Sequence, residues 1–400
     1  MKQSPVRDVS RARRRPAAAV RELRLTPLVL SLVCLGVTPV LAQVLPVAPG
    51  GGIAVPGGGT VSITGVAPHP QGGQTMTITQ GANSPRAIAQ WQSFSIGALD
   101  AVNVAQPSAS SILLNRVVGN EMSTIAGRLT ANGHVFLTNP NGVLFSSGSS
   151  VSVGGLVATT MKMSTSDADF MNPATRQFKF ERDTVDILDG NSYTVVNQGH
   201  IQTAGTGGTV ALLGSSVSNQ GTIEVARGSV GLVSADRITV DFNGDGLTQF
   251  TIPAGSEAAE ALVQNSGKIY ADGGRIALMA AANFPSLVVN QTGTLRANTL
   301  ESRNGEIILS AGRTTKADGT AAYGNSALYV SNTSTIEATG GQVRIYSGQD
   351  ITVSNNPPFG FSGNSPSAPS DGGSIINAAV LGPTLGGAAG VGPGSAALRT

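Results

Sequence analysis

The stretch that decides the fold is residues 112–160, ILLNRVVGNEMSTIAGRLTANGHVFLTNPNGVLFSSGSSVSVGGLVATT. At its centre, two apolar runs flank an asparagine-rich corner, Asn139-Pro140-Asn141-Gly142. Pro140 fixes its own φ and moves Asn139 out of the helical region. Asn141 tolerates a left-handed conformation, and Gly142 adopts one freely. The pattern predicts a strand, a rigid corner and a second strand, although a bare Asn-Gly pair more often marks an ordinary hairpin turn.

Composition favours an all-β chain. The sequence has 52 Gly, with 12% charged and 4% aromatic residues. Aliphatic residues recur with period 2 after the first 42 positions, and no 3.6-residue period extends beyond about two turns there. These features exclude a helical protein and a disordered chain of high charge.

Residues 1–42 form a predicted signal peptide, with cleavage after Ala42. A basic region precedes an apolar core at 25–37, which is shorter than the ~20 residues of a membrane span. The whole chain carries 25 basic and 23 acidic residues. Without the eight basic and two acidic residues of this segment, 17 and 21 remain, a net charge of −4. Nucleic-acid binding therefore loses its support, and general secretory export is predicted with no transmembrane segment after the signal.

Residues 193–353 repeat one pattern, an asparagine before a corner followed by a Gly-initiated aliphatic strand. The repeated asparagines are Asn197, Asn219, Asn265, Asn290 and Asn332. Gaps of 22, 46, 25 and 42 residues suggest one, two, one and two units of ~22 residues. Such a unit cannot bury its own aliphatic face, so the units must stack as a β-solenoid of roughly 14 coils and ~65 Å. A narrow lumen suits aliphatic side chains, and the asparagines suit a stacked amide ladder.

Other segments depart from this repeat. Residues 166–192 are charge-rich and predict an excursion outside the solenoid, with a short hairpin at 177–180. Residues 354–400, rich in Gly, Pro, Ser and Ala, predict a linker or disordered tail. Trp91, the single tryptophan, is interpreted as a core or cap anchor.

Several ordered pieces together resemble the secretion domain of two-partner-secretion exoproteins, the filamentous-haemagglutinin family, in its high-molecular-weight adhesin-like branch. These pieces are 91–96 (WQSFSI), 106–108 (QPS), 114–117 (LNRV), 131–137 (ANGHVFL), 139–143 (NPNGV) and 154–160 (GGLVATT). The resemblance implies a right-handed parallel β-helix with an N-terminal capping and secretion domain at residues 43–165.

The resemblance also implies a function and a partner. An outer-membrane barrel transporter with periplasmic recognition domains would bind the secretion domain, and the chain would act outside the cell or at its surface as an adhesin or haemagglutinin. A host or bacterial surface glycan or receptor is a further expected partner. The residues expected to determine secretion are Asn115, Arg116, Asn139, Pro140, Asn141 and Gly142.

Catalytic and metal-binding signals are sparse, and no cofactor or metal is predicted. His69, His134 and His200 lie on separate segments. Asp241, Asn243 and Asp245 match the start of a calcium loop, but Ile252 stands where that loop requires Glu. A tight turn between two strands is the simpler interpretation. The alternatives are an extracellular β-helix enzyme that degrades polysaccharides and the passenger of an autotransporter.

Overall fold

The computed structural model describes residues 44–376, except 51–52, 54, 71, 183–193, 243–246, 260, 285, 302, 332, 350 and 355–372. The predicted signal peptide with Ala42, Asn243 and Asp245 of the calcium-loop match, Asn332, and nearly all of the predicted tail lie outside the described residues.

Strands dominate the described chain. The first half contains β1 (Val61–Pro68), β2 (Gln74–Gln80), β3 (Arg86–Trp91), β4 (Ala101–Ala105), β5 (Ile112–Val117), β6 (Ser123–Ile125), β7 (Arg128–Ala131), β8 (His134–Thr138), β9 (Val143–Phe145), β10 (Ser150–Val153), β11 (Gly155–Thr159), β12 (Lys162–Met163), the helix α1 (Asp167–Met171), β13 (Gln177–Glu181), β14 (Thr194–Asn197), β15 (His200–Thr203) and β16 (Thr209–Leu213). The second half contains β17 (Ser216–Asn219), β18 (Thr222–Glu224), β19 (Ser229–Ser234), β20 (Arg237–Asp241), β21 (Gln249–Thr251), β22 (Leu262–Asn265), β23 (Lys268–Tyr270), β24 (Arg275–Ala280), β25 (Ser286–Gln291), β26 (Thr294–Arg296), β27 (Glu306–Ala311), β28 (Arg313–Thr315), β29 (Ala321–Tyr323), β30 (Ser326–Ser331), β31 (Thr335–Glu337), β32 (Gln342–Ser347), β33 (Ile351–Ser354) and β34 (Gly373–Ile376).

Three long sheets form three faces around a lumen. The first face runs β1-β2-β4-β7-β10-β15-β18-β23-β26-β31, the second β3-β5-β8-β11-β16-β19-β24-β27-β32-β34, and the third β6-β9-β14-β17-β22-β25-β30-β33. Neighbouring strands are parallel, except that β1 and β34 pair antiparallel at the ends of their sheets. The chain passes from face to face in order. This confirms the predicted all-β fold and its parallel β-helix architecture.

The described residues form nine coils, because the first and second faces each contain nine parallel strands. Coil 1 contains β2 and β3, coil 2 β4–β6, coil 3 β7–β9, coil 4 β10, β11 and β14, coil 5 β15–β17, coil 6 β18, β19 and β22, coil 7 β23–β25, coil 8 β26, β27 and β30, and coil 9 β31–β33. At the usual strand spacing they extend roughly 40 Å. The predicted 14 coils and ~65 Å were wrong, because three inserted segments leave the helix.

These three segments all leave between the second and third faces, at every second coil. We call them the first (160–193), second (235–261) and third (312–325) excursions, inserted in coils 4, 6 and 8. The gap of 46 residues between Asn219 and Asn265 is therefore one coil plus an excursion, because these two residues pair directly. A repeat counted by distance alone cannot separate an inserted loop from an additional coil.

The excursions join into a cover layer on the outer side of the second face. The first and second contribute the sheet β12-β13-β20-β21. The third forms the β28–β29 hairpin, and a bridge between Pro253 and Thr315 connects it to the second. The hairpin predicted at 177–180 was wrong. That segment is the single strand β13, paired with β12 on one side and β20 on the other.

Two apolar clusters result, one inside the lumen and one beneath the cover layer. The lumen is mainly aliphatic, with Trp91, Phe94 and Phe145 in the first three coils. The outer cluster contains most of the buried phenylalanines, namely Phe136, Phe170, Phe178, Phe180 and Phe250. Rings are thus concentrated outside the narrow lumen, where facing layers leave more room.

An amide ladder runs along the lumen where the third face ends. Asn197 Nδ2 donates to Asn219 Oδ1 at 2.8 Å, and Asn219 Nδ2 donates to Asn265 Oδ1 at 2.7 Å. Asn265 Nδ2 then donates to Gln291 Oε1 at 2.9 Å. All four side chains are fully buried. The predicted ladder is confirmed, but its fourth member is Gln291, because Asn290 pairs with Gln264 one position earlier.

Two columns of glycine line two corners of the helix, the first beside this ladder and the second between the first and second faces. One contains Gly199, Gly221, Gly267 and Gly293, and the other Gly208, Gly228, Gly274, Gly305 and Gly341. A Cβ at Gly221 would overlap the carbonyl oxygen of Gly199, and one at Gly267 would overlap that of Gly221. Glycine therefore permits the close approach of successive coils at these corners.

Candidate functional site: the asparagine corner of coil 3

The corner 139–142 connects β8 of the second face to β9 of the third face. Coil 3 turns here without an excursion, whereas coil 4 leaves the helix at the equivalent point. The predicted strand–corner–strand arrangement is confirmed. The hairpin alternative does not apply, because β8 and β9 belong to different sheets.

Asn139 links three successive coils. Its backbone N–H donates to the Thr159 carbonyl of coil 4 at 2.9 Å. Its fully buried side chain points back to coil 2, where Nδ2 donates to the Glu121 carbonyl and to Ser123 Oγ, both at 2.9 Å. Its Oδ1 accepts the Asn141 N–H at 3.0 Å, which closes a local turn. A shorter or differently shaped side chain would leave several buried groups unpaired.

Asn141 completes the corner with its side chain. Its Nδ2 donates to Asn139 Oδ1 and to the Gly119 carbonyl of coil 2, both at 2.9 Å. Asn141 does not use the left-handed conformation that asparagine tolerates, because the non-glycine residues with positive φ among the described residues are Arg227 and Glu301. Gly142 instead takes the positive φ, +115°. Pro140 sits half-buried at the tip of the turn.

Asn115 lies in the lumen, on the strand adjacent to β8. Its Oδ1 accepts a hydrogen bond from Trp91 Nε1 at 3.0 Å, and its Nδ2 donates to the Phe136 carbonyl at 3.3 Å. Trp91 is completely buried and packs edge-on against Phe94. The prediction that Trp91 anchors the core is confirmed, since its indole N–H requires a partner in the lumen and Asn115 supplies it.

Arg116 points the opposite way, out of the second face. Its guanidinium makes a two-pronged ion pair with Asp167 at 2.6 and 3.2 Å, at the first turn of α1. Arg116 therefore attaches the first excursion to coil 2. The predicted secretion residues thus fall into three places, the corner itself, the lumen and the underside of the cover layer.

The sequence did not indicate which groups receive the asparagine amides. Gly119 and Glu121 contribute backbone carbonyls, and Ser123 a buried hydroxyl, from the corner of the preceding coil. Their side-chain identities carry little signal, because two of the three act through the backbone. Arg86 was also missed, although a basic residue inside the apolar strand RAIAQW is an unusual feature.

The calcium-loop match can be followed only at Asp241. This residue ends β20, which pairs antiparallel with β21, whereas residues 243–246 of the predicted turn between the two strands lie outside the described residues. Asp241 Oδ2 accepts from Gln177 Nε2 at 2.8 Å. Within the part of the chain that the structure describes, no group of three His, Cys, Asp or Glu residues is placed to hold a metal ion.

The three histidines occupy different environments. His69 lies in the turn between β1 and β2, and His200 lies on the first face, 3.8 Å from Glu224. His134 is half-buried on the outer side of the second face, with its ring edge-on to Phe242 at 6.2 Å between centroids. Burial lowers the pKa of His134 below its usual 6.5, because desolvation disfavours the charged imidazolium.

Residues 54–323 match the family model of the TPS secretion domain. Since this match spans more than half of the chain, the protein belongs to the family of two-partner-secretion (TPS) secretion domains. The matched region extends beyond the 43–165 segment predicted from sequence, and the boundary at 165 stays a prediction.

Individual relatives come from Haemophilus influenzae. One "Heme/hemopexin-binding protein" is 34% identical over 245 residues, covering 60% of this chain and 25% of the relative. A second protein of that description is 41% identical over 111 residues, covering 28% of this chain and 11% of the relative. The crystal structure of the HMW1 secretion domain superposes with a TM-score of 0.53 at 25% identity, covering 76% of this chain and 73% of that chain. This chain therefore spans a quarter or less of the curated relatives that it matches.

No helix within the described ranges has both the length and the apolar character needed to cross a membrane.

Proposed function

We propose that this chain is a secreted or surface-displayed exoprotein that leaves the cell through a dedicated outer-membrane barrel transporter. The observation that carries this proposal is the family match over residues 54–323. A predicted signal peptide at 1–42 would supply the first step, general secretory export across the inner membrane. The transporter would then bind the N-terminal segment in the periplasm, and the β-helix would fold outside.

We propose that the asparagine corner contributes to export by closing coil 3 rather than by presenting free amides. Asn139 and Asn141 use their amide groups within the corner and toward coil 2. Closing this coil completes the edge on which coil 4 pairs. Each added coil then contributes strand pairings that oppose movement back through the transporter.

The decisive experiment is a fractionation in a two-membrane bacterium. The chain is expressed with and without a barrel transporter encoded beside its gene, and the protein is quantified in the medium, at the cell surface and in the periplasm. Release only in the presence of the barrel supports the proposal. Release without a partner, or retention with one, contradicts it and favours the β-helix enzyme or the autotransporter passenger.

The corner is tested in the same assay. Asn139→Ala and Pro140→Ala should each lower secretion more than Asn219→Ala, which removes a buried amide from the ladder instead. Asn219 is a matched control because it is an equally buried asparagine in a later coil. Equal losses at the two places would contradict a special contribution of coil 3 to export, because the corner would then matter no more than any other buried asparagine of the helix.

Outside the cell, we propose a binding function, with adhesion to a surface glycan or receptor as the first candidate. Similarity to relatives named "Heme/hemopexin-binding protein" favours a second candidate, a haem-carrying host protein. The secreted chain should be assayed for binding to haem–haemopexin and to epithelial cells. Saturable haemopexin binding without cell binding would select the second candidate, and the reverse would select adhesion.

A further inference from the structure

The first excursion is inserted in coil 4, but its anchoring contacts reach coils that precede it. Arg86 of coil 1, Arg116 of coil 2 and Phe136 of coil 3 all hold it. The excursion therefore folds back toward the N-terminal end of the helix. These three anchoring residues all lie on the second face in coils 1 to 3, and we call them the seat of the first excursion.

Arg86 is the central contact of this seat. Its guanidinium is buried, with 5% of the residue exposed. It donates to four backbone carbonyls of the excursion, at 2.6 Å to each of Phe170, Asn172 and Thr175 and at 3.3 Å to Pro173. A buried cation bonded only through carbonyl oxygens is stable only while all these bonds are made. Arg86 therefore fixes the path of the backbone over residues 170–175.

Aromatic packing reinforces the same seat. The Arg86 guanidinium lies 5.4 Å from the Phe178 ring centroid and 5.9 Å from that of Phe170. Phe136 packs edge-on against both rings, at 5.4 and 6.3 Å between centroids. Cation–π and edge-to-face contacts of this kind gain strength when they are desolvated.

The second excursion attaches to the first. β20 pairs with β13, the Phe242 N–H donates to the Arg176 carbonyl at 3.0 Å, and Asp236 pairs with Arg182 at 3.1 Å. It also folds back over earlier coils, since Thr248 Oγ1 lies 2.5 Å from Thr209 Oγ1 of coil 5.

The third excursion in turn attaches to the second. Thr315 donates to the Ile252 carbonyl and accepts from the Ala254 N–H, both at 2.8 Å. The second and third excursions thus each bind a surface that includes the excursion before it.

We infer that the cover layer assembles in one direction, from the N-terminus to the C-terminus, and that Arg86 is the fastening residue on which the later excursions depend. The biological use of this order rests on the proposed function. A chain that emerges N-terminus first would present the second and third excursions with the preceding excursion already in place. Contacts from the following coil would form afterwards, such as Arg275 of coil 7 to the Thr248 carbonyl and Tyr346 of coil 9 against Arg313.

The order predicts a one-way dependence, which amide hydrogen exchange of the full secreted chain can measure. Arg86→Met keeps an apolar stem but removes the guanidinium. It should accelerate exchange by about tenfold at the Asn172 and Thr175 amides, which bond within the first excursion, and also at the amides of β20 and β21. Phe250→Ala should accelerate exchange by about tenfold in β20 and β21 and leave the Asn172 and Thr175 amides within about twofold of wild type.

Arg237→Met is the matched control. Arg237 also donates to backbone and hydroxyl groups, at 2.7 Å to the Gly255 carbonyl and at 3.1 Å to Ser256 Oγ, but all within the second excursion. It should therefore behave like Phe250→Ala. Amides of β16 in coil 5 should stay unchanged in all three variants and report that the helix itself is intact.

Symmetric loosening of both excursions by Phe250→Ala would overturn the inference, as would an Arg86→Met variant that leaves β20 and β21 unaffected. If Arg86→Met is not recovered folded, Asp167→Asn replaces it, because this change removes the ion pair to Arg116 and should give the same order with a smaller, about threefold, effect. Exchange is measured on the folded chain after its recovery, whatever its route of export, so the outcome is independent of whether export requires a transporter.

Discussion

The two sides of the second face are built from the same strands but are buried in different ways. Leu137 points into the lumen, where strands of the same and adjacent coils surround it, whereas Phe136 beside it points outward and is buried only because the excursions cover it. On the inner side, each coil supplies the same kind of packing contacts as the coil before it. On the outer side, burial depends on three inserted segments that do not recur in every coil. The repeated coils therefore account for the β-helix, and the inserted excursions account for the burial of the outer side of its second face.

The largest effect is expected from substitutions at two neighbouring residues, one on each side of the second face. Phe136→Ala should cost about 4 kcal/mol and Leu137→Ala about 3 kcal/mol, because both leave a cavity among buried side chains. Phe136→Ala should accelerate amide exchange mainly in β13 and β20, whereas Leu137→Ala should lower the urea midpoint of the whole helix. If both variants gave the same exchange map, the cover layer and the helix would be one cooperative unit.

The amide ladder offers a second test, confined to the inner side. Asn219→Ala removes two buried amide bonds and leaves Asn197 and Asn265 with unpaired groups, which should cost about 2 kcal/mol. Urea unfolding measures the loss. The control is Ser218→Ala, whose side chain points outward on the same strand and should change stability by less than about 0.5 kcal/mol. Equal effects of the two changes would argue that the ladder contributes no stability.

Gly231 provides a third test, which concerns the outer side of the second face only. A Cβ at this position would overlap the ring of Phe250. Gly231→Val should therefore cost about 2 kcal/mol through overpacking. In a Phe250→Ala background the same change should cost much less, because the ring is gone. A double-mutant cycle by urea unfolding measures this coupling, and additive costs would place the strain elsewhere.

The smallest effect is a pH dependence at His134, on the outer side. Its pKa in the folded protein is lowered from 6.5 by burial, so the unfolded chain binds a proton more readily. Stability is therefore full above the unfolded value and falls as pH drops through that value toward the lowered pKa. His134→Gln should reduce the loss in free energy of unfolding between pH 7 and pH 5 by about 1 kcal/mol or less, as measured by urea unfolding. An unchanged slope in His134→Gln would contradict this assignment.

The sequence predicted the repeating half of this molecule and missed most of the inserted half. Period-2 aliphatic residues and the recurring asparagines were sufficient for the β-helix and for the ladder through Asn265, because those contacts repeat in register. The number of coils was wrong because an excursion and a coil have similar lengths. Phe178 and Phe180 were placed in an isolated hairpin, since nothing local indicates that β13 pairs with a strand about 60 residues away.

The candidate site shows the same limit. The corner 139–142 could be predicted from Pro140 and Gly142, because their backbone preferences are intrinsic to these residue types. The opposite directions of Asn115 and Arg116 follow from strand alternation, yet their partners Trp91 and Asp167 could not be derived without the fold. Backbone carbonyls at Gly119 and Glu121 leave no side-chain signal at all.

The glycine columns have a consequence for how such a chain changes over generations. Coils 5 to 8 each carry nearly the same pair of glycines at two corners, such as Gly221 and Gly228 in coil 6 and Gly267 and Gly274 in coil 7. A gene duplication that adds one whole coil would meet matching glycines on both sides, whereas one that adds half a coil would place side chains against backbone. The spacing of the glycines therefore allows the helix to lengthen or shorten by whole coils and disfavours changes by a fraction of a coil.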